Sequence, residues 1–115
     1  PEDLYEDWSS EERERLHEIQ QNTLIRTAEV SLMINENEKA IYYYQRAIND
    51  DPCKEINYQA MMKVLLRQGR REDAMRQFKS CVSTLREQWG VEPDVEITQL
   101  YMSIMQNQPV SYSNL

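Results

Sequence analysis

The fold follows from two stretches that repeat one pattern: AIYYYQRA at residues 40–47 and AMRQFKSC at residues 74–81. Each stretch places an aromatic residue four positions after an alanine, and a small residue three positions later. Small residues let two helices approach closely, while the aromatic side chain fills the space toward the next helix pair. Pro52 follows the first stretch, whereas Arg86 stands at the matching place of the second. The pattern therefore predicts stacked pairs of helices.

The interval between the two stretches is 34 residues, which is the period of tetratricopeptide repeats. The same shift places Val30 on Val64 and Leu32 on Leu66, so the register extends into the preceding helices. We therefore predict an all-α fold of tetratricopeptide-like stacked antiparallel hairpins, an alpha-alpha superhelix, with a closing C-terminal helix. Because such arrays need about three repeats, the long first helix and Leu100-Tyr101 are expected to cover the open ends.

Helix start residues divide the chain further. Ser9 and Glu12 form a capping box, in which each side chain accepts a backbone N–H of the other residue. At Asp51-Pro52, the aspartate is expected as the N-cap of the third helix and the proline as its first residue. The predicted helices are one from Ser9, one from about Glu38 to Asp50, one from Asp51, one from about Arg71 to Trp89 and one from Pro93. Residues 1–107 are predicted to form one domain, and residues 108–115 a flexible C-terminal tail.

The composition argues against several classes of protein. The sequence has 13 basic and 20 acidic residues, a formal charge of −7, whereas a domain that binds duplex DNA by itself presents a basic face. Its 2 glycines and 4 prolines are too few for the many turns of an all-β fold. The longest apolar run, Ala40 to Tyr44, is far shorter than the ~20 residues that span a bilayer. Cys53 and Cys81 fit neither a disulfide framework nor a metal spacing, which favours a reducing, cytoplasmic compartment.

Catalytic chemistry is not indicated by the sequence. His17 stands between Glu14 and Glu18 and is expected on a solvated helix face, without the partners that a metal site or a general base needs. Cys81 falls at a small, buried position of the repeat, and Cys53 is expected to open a helix, where a thiol pKa can be lowered. We predict no catalytic residue, no metal site, no cofactor and no small-molecule substrate, and we do not expect an enzyme.

Two clusters of side chains leave alternatives open. Tyr42-Tyr43-Tyr44 is typical of a surface on which bases stack, but Tyr44 is the aromatic residue of the repeat, and the acidic charge repels phosphate. Four basic residues lie close together in the sequence and fit either an acidic partner or an ordinary solvated helix junction. These are Arg67, Arg70, Arg71 and Arg76. We prefer the structural interpretation for both clusters.

Surface recognition remains as the predicted activity. Stacked hairpins present a concave face, lined mainly by the first helix of each hairpin, which accepts a helix or an extended peptide. By the repeat register, seven residues are predicted to line this concave face. They are Asn22, Ile25, Glu29, Ile56, Gln59, Lys63 and Arg67.

Motifs over nearly the whole chain, from Leu4 to Met105, resemble the bacterial transcriptional activator domain. At its start these are Leu4-Tyr5-Glu6-Asp7-Trp8 and Glu12-Arg13-Glu14-Arg15-Leu16. Further along they are Asp51-Pro52, Glu55, Met62, Gly69-Arg70, Asp73-Ala74, Phe78, Leu85, Gly90-Val91, Pro93 and Leu100-Tyr101. The resemblance implies a tetratricopeptide-like domain of regulators of antibiotic synthesis and their relatives, which usually follows a winged-helix DNA-binding domain and mediates dimerisation or protein contacts.

The leading hypothesis is therefore a regulatory protein-interaction domain of a bacterial transcription regulator. Its partner would be a second copy or a protein of the transcription machinery, and DNA would be bound only by a winged-helix domain outside this chain. No membrane partner is predicted. The alternatives are a stand-alone tetratricopeptide-type adaptor that binds peptides and, less favoured, direct nucleic-acid binding, which predicts salt-sensitive retention on DNA.

Overall fold

A computed structural model describes residues 9–106 of the chain, and these residues form five helices. The helices are α1 (Ser10–Met33), α2 (Asn37–Asp50), α3 (Glu55–Arg67), α4 (Arg71–Trp89) and α5 (Val95–Gln106). The first two and the next two helices form antiparallel hairpins, which stack through α2 and α3, and α5 packs against α4 and α3. The predicted all-α, tetratricopeptide-like class is confirmed.

The core lies where the repeated pattern places it. All six pattern residues are buried: Ala40, Tyr44, Ala47, Ala74, Phe78 and Cys81. Between the two hairpins, α3 contributes the largest buried apolar side chains: Tyr58, Met61, Met62, Val64 and Leu65. Each methylene buried in such a core contributes about 0.8 kcal/mol. Because α3 buries these large side chains between the hairpins, it stabilises their stacking.

Both hairpin turns use the same backbone motif. Asn35 after α1 and Gly69 after α3 have φ angles of +63° and +74°, a left-handed conformation that favours glycine and tolerates asparagine. In each turn this residue and the next donate backbone hydrogen bonds to carbonyls of the last helical turn, as in a Schellman motif. The two left-handed residues are 34 positions apart, so the turns obey the repeat register too.

The start of the third helix differs from the prediction. Helix α3 begins at Glu55 with Lys54 as its N-cap, and no side chain caps it. Pro52 and Cys53 form a turn instead. The Asp51 carboxylate is not available as a cap, because it accepts hydrogen bonds from a distant histidine and from the Cys53 thiol. The hydrogen bonds of Asp51 with His17 and Cys53 therefore outweigh the local capping pattern of Asp51-Pro52.

Helix α5 closes the C-terminal end of the stack, as predicted. The ring of Tyr101 stacks on that of Phe78, with centroids 4.2 Å apart, and Ile97 and Ile104 are buried beside it. At the other end, α1 covers the core with one side and leaves apolar side chains exposed on the other.

Several predictions lie at or beyond the limits of the described residues. The motif Leu4–Trp8 and the predicted tail, residues 108–115, fall outside residues 9–106, and the boundary at residue 107 stays a prediction. Within the described range, no helix is both long enough and apolar enough to cross a membrane.

Candidate functional site

The first helix of each hairpin supplies one wall of the predicted concave face. On α1, Asn22, Ile25 and Glu29 line an open depression with a volume of about 590 Å³, whose other lining residues, Ile19, Thr23, Arg26 and Thr27, also belong to α1. Asn22 and Glu29 are exposed, and Ile25 is half-buried against the core. These three predicted residues therefore share one surface.

The α3 wall presents the other four predicted residues. Ile56, Lys63 and Arg67 are exposed, and Gln59 is half-buried. At about 100° per residue, all four lie within an arc of ~80° on the helix. Ile56 is 60% exposed, which makes it the main apolar contact that this wall offers to a ligand.

Tyr44 lies on α2, the helix that packs against both α1 and α3. This side chain is buried on α2, and burial raises the pKa of its phenol, Glu29 raises it further and Arg67 opposes the rise. The carboxylate of α1 and the guanidinium of α3 therefore both act on one hydroxyl. Within residues 9–106, no hydrogen bond or ion pair joins an α1 member of the predicted set to an α3 member, so the structure does not show the two groups in contact.

The walls are held in position by a buried polar junction that sequence reasoning missed. Gln21 is fully buried and donates to the Ala47 carbonyl at 3.0 Å and to Asp50 Oδ2 at 2.8 Å. Asn57 of α3 donates its amide to Gln21 Oε1 at 2.9 Å. A polar residue on the buried stripe of α1, seven positions before Ala28, was the available indication.

His17 extends the same junction: it is partly exposed to solvent, but it has carboxylate partners that the sequence did not indicate. Its imidazole is 40% exposed, with Nε2 3.0 Å from Asp51 Oδ2 and Nδ1 3.6 Å from Asp50 Oδ2. The partners lie at the end of α2, more than thirty residues away in the sequence, so neighbouring residues gave no indication of them.

The predictions for Cys53, its position at a helix start and a lowered thiol pKa, are both wrong. It lies before α3 rather than opening it, and its thiol donates to Asp51 Oδ1 at 3.0 Å. That hydrogen bond to a carboxylate raises the pKa of the thiol, the opposite of the effect expected at a helix start. Cys81 is fully buried, as predicted, and burial raises its pKa to about 12.

Most of the arginine cluster is engaged within the chain. Arg70 pairs with Glu38 and Asp73, Arg76 pairs with the same aspartate, and Arg71 donates to the Ile104 carbonyl at 3.3 Å. The preferred interpretation as a helix junction therefore agrees with the structure. Lys63 and Arg67 remain as the exposed cations of the α3 wall.

Among residues 9–106, no group of three or more histidine, cysteine or acidic side chains is arranged to hold a metal ion. The predicted residues combine apolar side chains, cations and a carboxylate on two helices. In other proteins, helix faces of this kind bind amphipathic helices or extended peptides.

Comparison with known families identifies the domain. The model of the family described as the bacterial transcriptional activator domain matches residues 1–105. The chain belongs to this family. No curated protein matches the chain.

The bacterial transcriptional activator domain is a regulatory family and not a family of enzymes. The match covers both hairpins and most of α5, so it includes both helices that carry the predicted residues. The resemblance that the sequence motifs indicated is therefore confirmed.

Proposed function

We propose that this bacterial transcriptional activator domain is a regulatory protein-interaction module of a DNA-binding transcription regulator. The observations that support the proposal are the family match and the open depression of α1, together with the exposed residues that α3 presents on one side. The module would associate with a second copy or with a protein of the transcription machinery.

The concave face sets the chemistry of its partner. Ile25 and Ile56 offer apolar contacts, while Lys63 and Arg67 place two positive charges on the α3 wall and Glu29 one negative charge on the α1 wall. Charges at the edge of an interface fix orientation and specificity more than affinity. We propose an amphipathic segment whose acidic side faces α3.

DNA contact is assigned to a winged-helix domain outside this chain. The net charge of −7 opposes binding of a phosphate backbone by this domain. Joining two protomers, or seating a partner protein, would place the attached DNA-binding domains on neighbouring half-sites. The domain would thus act on transcription by positioning the DNA-binding domains, without catalysing a reaction.

A reporter assay with a regulator that carries this chain tests the proposal. The double variant Lys63→Glu/Arg67→Glu reverses the charge of the α3 wall and is expected to reduce activation about ten-fold or more, since two favourable contacts become repulsive. The matched control is Lys39→Glu/Lys79→Glu, which makes the same change at exposed positions of α2 and α4.

The control variant is expected to retain activation within about two-fold, because exposed ion pairs contribute little. Equal activation by the wild type and the α3 variant would overturn the concave face as the functional surface. Peptide binding by the domain together with unchanged transcription would indicate the stand-alone adaptor instead.

A further inference from the structure

Helix α1 carries an apolar stripe that the described residues leave mostly exposed. It is the longest helix, yet its buried residues are Gln21, Ala28 and Ser31, none of them a large apolar side chain. The α1 outer face consists of six other residues. They are Leu16, Ile19, Thr23, Val30, Met33 and the C-cap residue Ile34; Leu16 is half-buried and the other five are exposed.

The exposure of the α1 outer face is unusual for a helix. Ile19 is 53% exposed, Val30 51%, Met33 81% and Ile34 63%. At about 100° per residue, the six residues lie within an arc of about 100°, the width of the stripe that a helix normally turns toward a core. The α1 outer face therefore has the pattern of a buried surface.

The apolar residues of this face form two patches with matched spacing. Leu16 and Ile19 form the first, and Val30, Met33 and Ile34 form the second. The pair Leu16 and Met33 and the pair Ile19 and Val30 each have their midpoint between positions 24 and 25. A half-turn about an axis through that point, perpendicular to α1, brings each patch onto the other patch of a second copy.

The charges of α1 favour the antiparallel over the parallel arrangement. The half before Gln21 carries four acidic residues and two arginines, and the half after it carries only Arg26 and Glu29. Parallel helices would place two acidic halves side by side, at a cost that grows as the site is desolvated. Antiparallel helices place each acidic half against a half with no net charge, and they also oppose the helix dipoles.

We propose that two copies of this chain associate through their α1 outer faces, with the α1 helices antiparallel about a two-fold axis that passes beside Thr23, level with the midpoint between positions 24 and 25. This inference rests on the proposed function and names the surface for its self-association. Leu16 and Ile19 of one copy contact Met33, Ile34 and Val30 of the other. Because the contact is isologous, it closes at a dimer.

Cross-linking of single cysteines tests the arrangement. In a Cys53→Ser background, Thr23→Cys places two thiols near the axis, within the roughly 8–10 Å that separates packed helices. A short bis-maleimide is expected to join two such chains. Leu16→Cys is the control, since antiparallel pairing puts its two thiols about 25 Å apart along the helices.

A mixture of the Leu16→Cys and Met33→Cys chains is expected to give a cross-linked heterodimer. Cross-linking of Leu16→Cys with itself would overturn the antiparallel arrangement, because only parallel helices bring those residues together. The absence of a cross-link in Thr23→Cys would remove the α1 outer face as the contact.

Sedimentation of the 115-residue chain tests the association itself. Ile19→Asp buries a charge in the proposed contact and is expected to weaken dimerisation at least about ten-fold. Met102→Asp on α5 is the matched control, because Met102 is 52% exposed, nearly as Ile19 is. The control is expected to dimerise as the wild type does.

The outcomes separate this inference from the proposed function. Equal dimerisation of both variants would overturn the α1 outer face while leaving self-association in place. A wild-type chain that stays monomeric at every concentration would overturn the inference, whereas the reporter assay on the α3 wall would still decide the proposed function.

Discussion

Gln21 is the side chain on which the junction of α1, α2 and α3 depends. It is fully buried and bonds to α2 through the Ala47 carbonyl and Asp50 and to α3 through Asn57. Removing a partner from a buried polar group costs more than a hydrogen bond contributes on average, because the remaining group stays desolvated. The same network positions both walls of the concave face.

We expect Gln21→Ala to lower the free energy of unfolding by about 2–3 kcal/mol. The buried Asn57 amide loses its acceptor, and a cavity is left beside it. Urea unfolding followed by circular dichroism measures the change. Gln20→Ala is the control at the adjacent, exposed position, with an expected effect within about 0.5 kcal/mol; equal effects of the two variants would contradict the role of the junction.

Asp51 gives the junction a pH dependence. Burial alone would raise the pKa of this carboxyl, but hydrogen bonds from Cys53 and His17 outweigh burial and lower its pKa below the ordinary value of 3.8. A carboxyl whose pKa is lower in the folded state stabilises the fold above its unfolded pKa and loses this effect as the pH falls through the folded pKa.

Asp51→Asn is therefore expected to be less stable than the wild type at pH 7 and to approach it at a pH well below 3.8. Unfolding midpoints in urea across this range measure the difference between the two chains. A difference in stability that stays constant down to the lowest pH would contradict the assignment.

The hairpin turns show how a helix ends in this fold. Asn35 adopts a φ of +63° and closes α1, as Gly69 does for α3. A left-handed conformation costs an ordinary L-residue about 1–2 kcal/mol, less for asparagine and least for glycine. The two turns are therefore equivalent in geometry although their residues differ.

We expect Asn35→Ala to destabilise the chain by about 1 kcal/mol, whereas Asn35→Gly should stay within about 0.5 kcal/mol of the wild type. Both variants remove the same side-chain amide, so their comparison isolates the backbone conformation. Thermal and urea unfolding provide the measurement. Equal destabilisation by alanine and glycine would show that the amide, and not the left-handed φ, is what matters.

The helices of the whole molecule are not equally stable. Helix α3 buries Tyr58, Met61, Met62, Val64 and Leu65, whereas α1 buries only two polar side chains and an alanine. Free energies of local opening follow the apolar area that each element buries. The largest buried apolar side chains are therefore at the centre of the array, whereas α1 packs through Ala28 and the partly buried Ile25 and Leu32 together with the Gln21 junction.

Native-state hydrogen exchange is expected to show this gradient. The most protected amides of α1 should open with a free energy about 2 kcal/mol or more below those of α3, which exchange only on global unfolding. Met62→Ala should lower the protection of α3 by about 2–5 kcal/mol, as a core residue does. Equal protection of α1 and α3 in the wild type would refute the gradient.

The concave face illustrates which features of the site could be anticipated. Asn22, Ile25 and Glu29 were placed on one surface of α1 by spacing alone, because helical geometry fixes which residues share a side. The junction beneath them was not anticipated. Gln21 and His17 contact residues that lie beyond Ala47 in the chain, and no local rule connects such distant positions.

The repeated small and aromatic residues determined the hairpins and their stacking, since close helix packing tolerates few other side chains at those positions, and Pro93 and Leu100-Tyr101 indicated the closing helix. Only the tertiary structure decided where α3 begins and what the Asp51 carboxylate binds. It also showed that one side of α1 stays open. These features depend on the free energies of contact between elements, which outweigh the small preferences of a cap or a turn. No single segment of the sequence predicts such contacts.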